Sequence, residues 1–163
     1  MNGSRAMALF LKNLLFTVLV PGTVAVYLPR AIVDGASPAS RWALVAALPV
    51  WAIGAAIYAW CVWDFATFGR GTPAPIDAPK RLVVRGLYRR TRNPMYVGVL
   101  TVISGWVALY RTGALAAYAV LVATAFHLFV VHHEEPHLRR LFGDEYDVYR
   151  ARVGRWLLPL KQV

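Results

Sequence analysis

The chain has 163 residues, of which 58% are hydrophobic and only 16% charged. A soluble domain of that length needs more polar surface, so the composition excludes an ordinary soluble fold and indicates an integral membrane protein, residues 1–163 forming a single domain. The net charge of +10 does not point to nucleic acid, because the Lys and Arg residues sit between and beyond apolar runs rather than on a free basic face.

The expected fold is an all-α integral membrane bundle of about four spans with a C-terminal amphipathic interfacial helix. The first apolar stretch, Ala8–Leu28, is broken by Pro21-Gly22 and spans if it tilts or kinks. No small-x-small cleavage site follows it, so it reads as a retained span rather than a signal peptide. The second, Trp42–Trp63, carries no charge and meets the length of about 20 residues that a span needs. Cys61 within it reads as a small buried hydrophobe. In the loop that follows, Pro73, Pro75 and Pro79, with Pro94 at its end, disfavour a long helix. Gly69 and Gly71 form a GxG that permits close backbone approach to a ligand and serves equally well as a plain turn. The third run, Pro94–Tyr110, is short, and the fourth, Gly113–Val131, qualifies outright.

Charge sets the orientation. Fifteen Lys and Arg residues fall in the N-terminal segment, the long loop and the C-terminal tail, whereas Arg30, Arg41 and Arg111 fall on the other side. By the positive-inside rule both termini and the loop are cytoplasmic, and the expected location is a bacterial inner membrane. Residues 64–93 and 132–163 then share the cytoplasmic face, where chemistry is expected.

Two motifs stand out there. In "RNPMYVG", Pro94 suits the first turn of a helix, Asn93 is placed to cap it with its side-chain oxygen, and Tyr96 and Gly98 follow within the first turns. A capped membrane helix with an interfacial tyrosine accounts for the same residues. In "VVHHEEPH", Glu134 and Glu135 form an ionisable pair at a membrane boundary, which marks a site or a partnered charge. The structural alternative is pairing with Arg89, Arg90 or Arg92. Pro136 is expected to end or kink the fourth helix near Glu135. His127, His132, His133 and His137 lack the spacing of a metal motif and read as interfacial side chains, so no metal is assigned. Beyond Pro136, Leu138, Leu141, Phe142, Tyr146, Tyr149, Val153 and Trp156 recur at helical steps, predicting an amphipathic helix that is either an anchor or a lid.

"GLYRRTRNPMYVG" at 86–98, followed by "EEPHLRRLFGDEYDVYRARVGRW" at 134–156, resembles the isoprenylcysteine carboxyl methyltransferase and phospholipid methyltransferase family. These are small multi-span enzymes that use S-adenosyl-L-methionine. The resemblance covers about residues 64–160 and implies a cofactor region of Gly69, Gly71, Arg92, Asn93, Tyr96, Gly98, Glu134 and Glu135, with Arg92 and Glu135 closest to the chemistry. The isoprenylcysteine enzymes usually carry His where this chain has Asn93, and asparagine does not act as a base near neutral pH. A lipophilic acceptor entering from the bilayer is implied, whether an isoprenoid thiol-acid, a phospholipid amine or a related lipid. The reaction would be an in-line displacement that depends on alignment more than on acid or base groups, with Glu135, His132 or His133 taking a proton if the acceptor is an amine. Membrane lipids are the expected partners, nucleic acid is not, and no oligomeric state is implied. The alternatives are a nicotinamide-dependent lipid reductase, a non-catalytic lipid-binding module and, with little support from four uncharged spans, a transporter.

Overall fold

The computed structural model describes residues 3–69 and 81–156. Its order is α1 (Gly3–Leu19), a π-turn (Thr23–Tyr27), α2 (Leu28–Ile32), α3 (Arg41–Asp64), a π-turn (Phe65–Gly69), a 3-10 turn (Gly86–Arg89), α4 (Pro94–Tyr110), α5 (Gly113–Phe129), a π-turn (Val130–Glu134), α6 (Glu135–Phe142) and α7 (Asp144–Arg152). No strand occurs among the described residues. Among the described residues, three helical rods are long and apolar enough to cross a membrane: Leu11–Ile32, Arg41–Gly69 and Gly113–Phe142. The fourth apolar helix, α4, has 17 residues. At 1.5 Å per residue it is about 26 Å long, short of a hydrocarbon core of about 30 Å. The molecule is an all-α membrane bundle.

Local sequence explains the helix starts. Ser40 and Thr112 cap α3 and α5, each accepting a hydrogen bond from the backbone N–H three residues on, Ala43 and Leu115. Pro21 stays within a helical path, and of the two outcomes expected at Pro136, an end or a kink, the helix does not end there. Pro29 and Pro136 each follow a π-turn and occupy the first turn of the next helical segment. The physical reason is the missing proline N–H, which cannot complete an i→i−4 ladder; a wider turn shifts the register and lets the rod continue. The carbonyl four residues before Pro29 is that of Ala25, and the indole N–H of Trp106 donates to it at 3.0 Å. Tyr118 donates to the neighbouring Val24 carbonyl at 2.7 Å. In hydrocarbon such freed carbonyls need partners from adjacent helices, and α4 and α5 supply them.

The most extensive interhelical contact joins α3 and α4. Gly54 and Gly98 face each other there, so the two backbones touch without intervening side chains. Behind them, Ala25, Val99, Ile103 and Val122 form the core.

The C-terminal amphipathic helix divides in two at Gly143, whose φ of +50° is a backbone state that side-chain-bearing residues resist. Leu138, Phe142, Tyr146, Tyr149 and Val153 pack together with Leu82 of the long loop. Leu141 remains half exposed, and Trp156 reaches α5, donating to His127 at 3.2 Å. The tail is therefore fastened to the loop rather than floating as a separate anchor.

Candidate active site

The loop and the tail converge on one end of the bundle. Residues 91–93 join the 3-10 turn to α4 and are hydrogen-bonded to residues 154–155. The Arg92 backbone N–H donates to the Gly154 carbonyl at 2.9 Å. Thr91 Oγ1 and Asn93 Nδ2 both donate to the Arg155 carbonyl, at 3.0 and 2.9 Å. Asn93 therefore does not cap α4 with its side chain, contrary to the sequence expectation. It occupies the N-cap position, but its amide is drawn off to the C-terminal segment, a long-range partner that no local pattern reveals.

The two glutamates have different surroundings. Glu135 is the arginine-paired one. Arg155 reaches both of its oxygens, Nε at 2.6 Å and Nη2 at 3.1 Å, and Arg92 Nη1 lies 3.1 Å from the first of them. Arg92 and Glu135 are nearly buried, with side chains 8% and 10% exposed. Burial works to raise the Glu135 carboxyl, but the Arg155 hydrogen bond and the charges of Arg92 and Arg155 outweigh it and hold the group below the usual carboxylate range. Glu134 is half buried and accepts a 2.7 Å hydrogen bond from the Tyr96 hydroxyl. Burial and the neighbouring Glu135 charge push its carboxyl up, against the lowering effect of that hydrogen bond and of His133. Tyr96 is braced by Phe126 of α5, ring centroids 4.7 Å apart.

Arg92 also donates from Nη1 to the Tyr146 hydroxyl at 2.8 Å, and Tyr146 is almost wholly buried. Its Nε is buried and has no hydrogen-bond partner among the described residues. Tyr149 ties α7 to the 3-10 turn by donating to the Tyr88 carbonyl at 2.7 Å.

Arg92, Asn93, Tyr96, Glu134 and Glu135 are thus brought to one place from residues 38 positions apart and more. Gly98 is not turned towards them. A Cβ added there would lie 3.0 Å from the Gly54 carbonyl oxygen and 3.1 Å from the Tyr58 N, so its missing side chain serves the contact with α3. Gly69 is buried at the end of the π-turn that continues α3. Gly71 lies outside the described residues.

Sequence reasoning missed Arg155, Tyr146 and Asp64. Asp64 is 1% exposed at the end of α3, with Arg85 Nε 3.1 Å away. A solitary carboxylate closing a charge-free apolar run was the available signal. Gly86 sits over it at φ +56°, and a Cβ there would come within 2.5 Å of Asp64 Oδ2. Gly86→Ala combines a left-handed backbone with that collision, so a loss of about 1–3 kcal/mol is expected, read as a lower unfolding midpoint in detergent.

The arrangement has the chemistry of a ligand cradle. An ionised carboxylate holds two guanidiniums, one arginine N–H has no partner among the described residues, and a second carboxylate keeps acceptor capacity for a hydroxyl or ammonium donor. Residues 42–145 match the family model described as phospholipid methyltransferase. A protein of Haemophilus influenzae, described as an uncharacterized protein, is 34% identical over 64 residues, which is 39% of this chain and 100% of that protein. No solved structure matches. The matched segment takes in α3, α4, α5, both glutamates and the arginine that pairs with Glu135 inside it, and with more than half of the chain so covered, this membrane protein belongs to the phospholipid methyltransferase family.

Proposed function

We propose that the protein transfers a methyl group from S-adenosyl-L-methionine to a lipophilic acceptor at the cytoplasmic membrane face, with both termini on that side. The observation that carries this reading is the split environment of Glu134 and Glu135. One carboxylate is committed to Arg92 and Arg155; the other stands beside it with a tyrosine hydroxyl and spare acceptor capacity. Residues of these types fit the methyl donor. The buried, open Nε of Arg92 suits its carboxylate, and Glu134 suits a ribose hydroxyl or the ammonium group. The bound cofactor supplies an electrophilic methyl group on a sulfonium.

The protein's own part is alignment and exclusion of water. Tyr96, fixed between Phe126 and Glu134, closes one side of the site and keeps the carboxylate from swinging. Fixed dipoles and charges already paired with each other need little rearrangement as the sulfonium charge disperses. An amine acceptor must lose a proton. Glu135, lowered and held by two arginines, is a weak base for that task, whereas Glu134 with its raised carboxyl is better matched. This assigns to Glu134 the role that the sequence alone gave to Glu135 or a neighbouring histidine. The acceptor class is a lipid nucleophile reached from the bilayer, a phospholipid amine or an isoprenoid thiol-acid among them.

Glu134→Gln and Glu135→Gln are each expected to weaken binding of S-adenosylhomocysteine about tenfold, by calorimetry in detergent, since each changes a charge-assisted contact worth about 1.5–3 kcal/mol. Unchanged affinity in both variants would refute the cofactor assignment. Methyl-labelled cofactor incubated with total membrane lipid identifies the acceptor.

A further inference from the structure

Arg155 is not among the residues that the resemblance assigns to the site, and it lies in the last described segment of the chain, yet it has the stronger hold on Glu135. It grips the carboxylate side-on through Nε and Nη2, one nitrogen to each oxygen, at 2.6 and 3.1 Å. Its own carbonyl is pinned by Thr91 and Asn93, so its place is fixed from both ends. Arg92 meets the same carboxylate through one nitrogen, Nη1, at 3.1 Å, and that nitrogen also serves the Tyr146 hydroxyl. The Nε of Arg92 is left buried without a partner among the described residues, on a side chain only 8% exposed.

A buried guanidinium N–H without an acceptor is costly, and native structures rarely leave one idle. Nη1 lies on the opposite side of the guanidinium from this N–H, which a carboxylate covers only by pairing with the Nε–Nη2 edge. By engaging both Glu135 oxygens, Arg155 keeps the carboxylate on the Nη1 side, away from that edge. Two guanidiniums also share one carboxylate, so the trio keeps a positive charge that Glu135 does not cancel.

We propose that Arg155 is a positioning residue, holding Glu135 so that the Nε edge of Arg92 stays open to an oxyanion of a bound ligand. The inference rests on the methyl-transfer reading for the identity of that ligand. The shared chemistry is a carboxylate or phosphate oxygen: the carboxylate of the methyl donor or the phosphate of a lipid headgroup. Without Arg155, Glu135 is released to the Nε–Nη2 edge of Arg92, where it covers Nε and neutralises the site.

The test uses the full chain in detergent and calorimetric titration with three probes. These are S-adenosylhomocysteine, 5′-methylthioadenosine, which lacks the amino-acid carboxylate, and short-chain phosphatidic acid. Arg155→Gln is expected to weaken an oxyanion-bearing probe about tenfold, the loss of one charge-assisted hydrogen bond, and to leave methylthioadenosine unchanged. Loss confined to S-adenosylhomocysteine identifies the donor carboxylate, and loss confined to phosphatidic acid identifies a headgroup phosphate. The double variant Arg155→Gln with Glu135→Gln is expected to bind as Glu135→Gln alone does, because Arg155 acts through Glu135. A purely structural role for Arg155 predicts that the two losses add. Should Arg155→Gln not fold, Arg155→Lys keeps the charge without the two-pronged grip, and the same probe ratios are read on it. Unchanged binding of both oxyanion probes in a folded Arg155 variant, or a double variant in which the two losses add, overturns the proposal. If the wild-type chain binds phosphatidic acid but not S-adenosylhomocysteine, the methyl-donor reading fails while the role of Arg155 is still measured.

Discussion

Glu135→Ala is expected to leave little folded protein and no methyl transfer. Truncation removes the carboxylate that lies between Arg92 and Arg155 and leaves the buried Arg92 guanidinium facing Tyr146 with no counter-charge. Breaking a buried ion pair by deleting one partner costs about 3–5 kcal/mol, a large share of the 5–15 kcal/mol that typically separates folded from unfolded states. Most of that cost falls on Arg92, because Arg155 is about one-third exposed and water relieves it in part. Glu135→Gln keeps the volume and one acceptor oxygen, so it is expected to fold and to lose mainly ligand affinity. The pH dependence has a definite sign. Glu135 titrates lower in the folded state than its ordinary 4.5, so its contribution is present above about that pH and lost as pH falls through the lowered value. Glu134 is raised, so its contribution is present at low pH and lost as pH rises through its folded value. Unfolding midpoints of the wild type and Glu135→Gln between pH 7 and pH 4 check this. The wild type should lose its advantage over the variant towards pH 4, and a constant difference would contradict the pairing.

The bundle was legible because hydrocarbon permits few solutions: long charge-free runs such as Trp42–Trp63 must be helices, and Pro94 and Pro136 mark where chemistry meets the membrane edge. The π-turn before Pro29 was not legible, since a wide turn and a break both answer a proline, and there the packing of Trp106 and Tyr118 onto the Ala25 and Val24 carbonyls favours the turn. Within the site, the meeting of Arg92 and Tyr96 with Glu134 and Glu135 followed from a short α4–α5 hairpin. Which glutamate takes the arginines did not. Adjacent residues on a helix point about 100° apart, and the direction that finds Arg155 depends on where the tail returns after the positive-φ Gly143. Asn93 shows the same limit, for a capping residue by position spends its side chain on a partner 62 residues away. Gly98 carried a motif signal whose physical content is helix packing.

That packing makes Gly54→Ala the second large prediction. A Cβ at Gly54 would stand 2.7 Å from Val102 Cγ2, 2.8 Å from the Gly98 carbonyl oxygen and 2.9 Å from the Val102 N. Two of these are backbone atoms and do not rotate away, so α3 and α4 must separate. Apolar side chains gain nothing from leaving lipid, and close van der Waals contact is what holds such helices together. The separation also pulls on the hydrogen bond from Trp51 Nε1 to the Val102 carbonyl, now 3.1 Å. A cost of about 1–3 kcal/mol is expected for the added methyl, and Gly54→Leu should not assemble the bundle at all. The effect on activity is larger than the effect on stability. α4 begins at Pro94 and carries Tyr96, whose hydroxyl is 2.7 Å from Glu134, so a shift of the helix moves one half of the site against the other. A displacement near 1 Å costs about a hundredfold in rate where alignment dominates. Gly113→Ala is the control: a Cβ there meets nothing within 4 Å, and both melting and transfer should match the wild type. If Gly54→Ala melts and transfers methyl groups as the wild type does, α4 does not depend on α3 for its place, and the site's geometry must be held by the tail alone.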